Sequence, residues 1–130
     1  MSLNITPELL KQAQEGEVNQ EAFIDSIRQS LPYAFGIVED LAKRLAQGEA
    51  EWVEHSVPPP TEQDRAQLLR MIGGDAIRGA VEGYFGIKLA FQNCHKTAIF
   101  RPEALESPDY QDFISIRSQI LNQTPELIDC

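Results

Sequence analysis

The chain has few of the residues that carry most protein chemistry. Two histidines and two cysteines stand among 130 residues. Cys94 and Cys130 allow one disulfide at most, so there is no disulfide framework, and free thiols in a reducing cytoplasm are expected. Cys94, His95, His55 and Cys130 make four potential zinc ligands by count. They lack the close CxxC or HxxxH spacing that lets a short segment chelate, so no metal is expected. Cys94 and His95 are adjacent, and neighbours in an extended segment point to opposite sides. The pair therefore reads as the tip of a turn rather than a nucleophile with its base.

Other absences narrow the reading further. No GxSxG or HExxH occurs, and no Walker-type lysine follows Gly73-Gly74-Asp75. Asp75 would itself occupy the helix-start donors that bind phosphate. The carboxylate pairs Glu21/Asp25 and Asp109/Asp112 have helical spacing but no apolar frame that would raise a pKa for acid–base work. No cofactor is expected, and the balance leans away from an enzyme. No apolar run approaches the roughly 20 residues of a membrane span, and the start, MSLNITPELL, lacks the basic and apolar regions of a signal peptide.

Basic charge is also scarce: 11 Lys and Arg face 20 Asp and Glu, a net charge of −9. This opposes generic binding to nucleic acid or anionic membrane. The balance is −6 over residues 1–60, +2 over 61–101 and −5 over 102–130. A winged-helix nucleic-acid binder would have to use Arg65, Arg70, Arg78, Lys88, Lys96 and Arg101. Asp75 and Glu82 on the would-be recognition helix argue against it.

What the chain does contain is helical patterning. Thr6-Pro7-Glu8 starts a short helix that stops at Gly16, and Asn19 caps the next. Ile24, Ile27, Leu31, Ala34, Val38, Leu41 and Leu45 then recur in steps of three and four, a seam about three heptads long. Pro32 interrupts the seam. An interior proline costs about 3 kcal/mol, so a kink or break with nearly continuous arms is expected there. Residues 49–60 (EAEWVEHSVPPP) read as an internal linker, with Trp52 either packed on the core or exposed as a partner's anchor.

Thr61 to Arg101 reads as helix, Gly-Gly break, helix and an apolar hairpin over about residues 87–101. Gly79 and Gly83 lie on one side of the second helix, and each costs roughly 0.8–1 kcal/mol relative to alanine. Either another element packs closely against them, or a ligand or partner does. Ser107-Pro108-Asp109 starts a last helix with Tyr110, Phe113, Ile114, Ile116, Ile120 and Leu121 as its apolar face. The closing TPELIDC adds at most a turn.

The expected fold is a mainly α single domain over 1–130, a bundle of four to five helices with one short β-hairpin. The expected function is a non-catalytic protein-interaction or regulatory module, homodimeric and cytoplasmic. Its surface would use the seam (Ile24, Ile27, Leu31, Val38, Leu41, Leu45) together with Trp52, Gly79 and Gly83. The alternative is a small-ligand-binding domain or enzyme with a pocket near Gly79, Gly83, Phe91 and Cys94.

Overall fold

A computed structural model describes residues 2–93 and 95–123. Among them the helices are α1 (Pro7–Glu15), α2 (Gln20–Ser30), α3 (Pro32–Gln47), α4 (Glu62–Gly73), α5 (Asp75–Phe85), α6 (Pro108–Phe113) and α7 (Ile116–Leu121). The strands β1 (Trp52–His55), β2 (Lys88–Gln92) and β3 (Lys96–Phe100) form one antiparallel sheet in the order β1-β3-β2. The fold is thus mainly α with a short hairpin, as expected, extended by one strand. Cys94 and Cys130 lie outside the described residues, as does TPELIDC.

The helix starts follow capping chemistry. Leu9 N–H donates to Thr6 Oγ1 (3.1 Å), Ala22 N–H to Asn19 Oδ1 (3.1 Å) and Asp64 N–H to Thr61 Oγ1 (3.1 Å). Each bond satisfies a donor that the first helical turn leaves free. At Pro32 the chain breaks rather than kinks: Leu31 sits at φ −128° and ψ 57°, and Pro32 opens α3. Leu31 has no side chain to cap with. Gln67 of α4 supplies the cap instead, its Oε1 accepting from Tyr33 N–H (2.7 Å) and Ala34 N–H (3.2 Å).

The heptad seam is the core of the monomer. Ile27, Leu31, Ala34 and Val38 are fully buried, and Ile24, Leu41 and Leu45 nearly so. They pack with Leu68, Met71, Val81, Leu89 and Ile99 from α4, α5, β2 and β3. Burying one such side chain stabilises by about 1.5–3 kcal/mol. The seam is therefore spent inside the chain and is not available for self-association, which corrects its place in the expected surface.

Four other expectations change. Residues 52–55 of the expected linker form β1, paired with β3 from Trp52 opposite Phe100 to His55 opposite Thr97. Trp52 stacks on Phe100 (5.2 Å, 7° between planes) with Phe113 edge-on, so it serves a second small core rather than a partner. The last helix breaks at Ile114, because Ser115 caps a new start by accepting from Ser118 N–H at 3.0 Å. That break turns Ile114, Ile116, Ile120 and Leu121 outward, all more than half exposed. Gly74, not Asp75, is the cap residue of α5.

Candidate functional site

The glycines of α5 face open space. A Cβ placed on Gly79 or Gly83 meets nothing within 4 Å. Close packing of another element, the structural explanation for the pair, is therefore absent among the described residues. Ala76, Gly79, Ala80 and Gly83 instead form the floor of a groove of about 780 Å³. Leu9, Leu10 and Ala13 of α1, with Ile5 before it and Val18 after it, make one wall. Phe23 and Gln20 at the start of α2 close the end. Ile5, Leu10 and Val18 are each about half exposed. Among the described residues, Gln20 is the one that lines the groove with a polar side chain.

The wall is lightly held. Leu9 is the buried side chain of α1. Its approach segment is tied to α2 by Asn4 N–H donating to Ser30 Oγ (2.7 Å) and Ser26 Oγ–H donating to Asn4 O (2.5 Å). Its exit turns at Gly16 (φ 92°), a left-handed conformation that glycine adopts without the steric cost of a Cβ. Asn19 N–H then donates to Gln12 Oε1 at 2.9 Å. The floor is firmer, since Ile77 and Val81 on the far side of α5 are buried in the core. The sheet end of α5 is held by Glu82, which accepts from Leu89 N–H (2.8 Å) and pairs with Lys88 (3.4 Å).

Phe91 does not join this groove. It packs against the main core from β2, so the expected pocket keeps its glycine half and loses Phe91. The other half of that expectation, Cys94, is outside the described residues. Few polar groups converge on the groove, which gives it shape and apolarity but no evident reaction machinery.

Polar side chains gather instead at the far end of the hairpin. The His95 imidazole is held below its usual pKa by burial first, then by Lys96 and His55. Lys96 Nζ lies 3.7 Å from Glu54 and 3.4 Å from Asn122 Oδ1. Gln92, buried, donates from Nε2 to Phe113 O (2.9 Å) and Ser118 Oγ (3.0 Å), which docks α6 and α7 on the sheet. Among the described residues no group of three or more His, Cys, Asp or Glu side chains could hold a metal ion. No helix among them is long and apolar enough to cross a membrane.

The six basic residues of 61–101 do not build one positive face. Arg65 pairs with Glu62, Arg78 with Asp75, Lys88 with Glu82 and Lys96 with Glu54. Arg101 donates to the carbonyls of Leu45 (2.7 Å) and Ala50 (3.1 Å), clamping the end of α3 to the sheet. Only Arg70 of the six stands exposed.

The family described as NucS shadow ORF matches residues 1–130, the whole chain, and the chain belongs to that family. No curated protein and no solved structure matches it.

Proposed function

We propose that this member of the NucS shadow ORF family is a non-catalytic protein-interaction module whose working surface is the groove between α1 and α5, and that its occupant is a helix of a partner protein. One observation carries the reading. Gly79 and Gly83 together cost the helix close to 2 kcal/mol relative to alanine, and nothing among the described residues lies against them to return it. A floor without side chains lets a partner's helix approach the backbone of α5 closely and set larger apolar side chains into the space. This is helix-in-groove recognition, where an apolar face supplies the contact area. A half-open apolar trough suits that better than it suits a small ligand, which is commonly enclosed and oriented by several polar groups.

The test is cross-linking with mass spectrometry in native lysate, with photoreactive groups at positions 13 and 76, comparing the wild-type chain with Gly79→Leu/Gly83→Leu. The leucines fill the groove and have room to do so. Proteins captured by the wild type and lost with the filled groove support the reading. Capture that is indifferent to the filling refutes it.

A further inference from the structure

The far end of the sheet holds polar atoms that the fold leaves unused. His55 Nε2, His95 Nδ1 and Thr97 Oγ1 are buried, and among the described residues none of the three has a hydrogen-bond partner. Buried polar atoms without a partner are rare in folded chains and call for a cause, such as a bound water or ion. The strand register explains how they come together. His55 ends β1 directly opposite Thr97 of β3, so the two side chains share one face of the sheet. His95 stands in the turn just before β3, close enough to His55 for the charge of one imidazole to act on the other. Strand alternation turns Glu54 and Lys96 to the opposite face, where they pair at 3.7 Å. That pairing moderates the positive charge of Lys96 beside His95.

An unprotonated imidazole nitrogen offers a lone pair in the plane of its ring. Imidazole suits zinc, copper and nickel, whereas magnesium and calcium take oxygen. We infer that His55 Nε2 and His95 Nδ1 together bind a divalent transition-metal ion of the zinc class, with water in its remaining positions. The Thr97 hydroxyl, opposite His55, is placed to hydrogen-bond such a water. Two protein ligands are fewer than the three of a catalytic zinc site or the four of a structural one, so the ion exchanges with solvent. When bound, it ties the end of β1, the edge strand held by β3 alone, to the turn of the hairpin. Sequence spacing spoke against a metal because the two histidines lie far apart along the chain. The register of β1 on β3 supplies the proximity that the spacing lacks.

The probe is zinc ion alone, titrated into the full chain about one pH unit above the ordinary histidine pKa, where imidazole is neutral. Binding is read by calorimetry and by the imidazole nitrogen shifts in solution NMR. One equivalent should shift both rings, at Nε2 of His55 and at Nδ1 of His95. His55→Gln and His95→Gln should each weaken binding at least about tenfold, the loss that follows even from removing a ligand's outer partner. These variants lose no hydrogen bond at the two nitrogens, and amide spectra matching the wild type check that the fold is kept. Zinc should raise the thermal midpoint of the wild-type chain and leave that of either variant in place, since an ion that binds the native state stabilises it. Magnesium in about a hundredfold excess should not compete.

Equal zinc affinity in the wild type and both variants would put the ion on the acidic surface at large and overturn the site. A shift of one ring alone would overturn the pairing. Cys94→Ser/Cys130→Ser should bind as the wild type does; loss of binding in that variant would mean a thiolate site and sink the assignment. The absence of any saturable binding would do the same.

Discussion

Replacing both groove glycines with alanine should make the protein more stable. In the interior of a helix each glycine is about 0.8–1 kcal/mol less favourable than alanine, through the backbone entropy it gives up on folding. Neither residue has a positive φ, and among the described residues the added methyl meets nothing within 4 Å at either site. The full propensity gain of about 1.5–2 kcal/mol is therefore open to Gly79→Ala/Gly83→Ala. At about 2.1 cal/mol/K of unfolding entropy per residue, a chain of this length unfolds with about 0.27 kcal/mol/K, so the midpoint should rise by about 6–7 °C. Differential scanning calorimetry at two protein concentrations measures this. Gly86→Ala is the contrast: Gly86 ends α5 at φ 67°, and a side chain there should lower the midpoint by about 4 °C, from about 1 kcal/mol of strain. A lower midpoint for the double variant would refute the reasoning. It would mean that another element, or another copy, already lies against α5 in solution. A concentration-dependent midpoint would point to the copy.

Three more outcomes follow from the same structure. Gln67→Ala leaves the buried-side donors of Tyr33 and Ala34 without their acceptor and should cost about 1–3 kcal/mol in urea unfolding, with an unchanged m-value. Val38→Glu/Leu41→Glu should unfold the chain, seen as loss of helical circular dichroism, because both residues are at most 1% exposed in the monomer's own core. A folded, monomeric product would restore the seam as an interface. His95 has a folded-state pKa below its unfolded value, so the unfolded chain binds its proton more readily. Its contribution to stability is complete above pH of about 6.5 and is lost as pH falls below that value. His95→Gln should flatten this part of the stability–pH curve.

Much of the architecture follows from local rules. Thr6, Asn19, Thr61 and Ser107 cap helices where capping chemistry puts them, Gly16 and Gly86 end helices in the left-handed region, and two of the three strands fall within the hairpin expected over about residues 87–101. These features depend on a few neighbouring residues, so sequence carries them. The spacing from Ile24 to Leu45 likewise says that one stripe must be covered. It is silent on whether the cover is the same chain or another, since a buried seam and an interface share one pattern. Here α4, α5 and the sheet cover it.

The remainder needed three dimensions. β1 is four residues among acids and prolines, and its partner β3 is more than 40 positions away, so no local period marks it as a strand. The outward turn of Ile116 and Ile120 depends on Ser115 restarting the helix, which an apolar spacing alone does not reveal. The glycine pair was visible in the sequence as an energetic oddity, with either close packing or an outside occupant as its cause. Composition made polyanions poor expected partners for this acidic chain, and periodicity determined that its fold would be mainly helical. Only the tertiary structure decided what lies over Gly79 and Gly83, because the distance from a missing side chain to its nearest neighbour is set by helices distant in sequence. Among the described residues, those helices leave the space open and line it with apolar side chains.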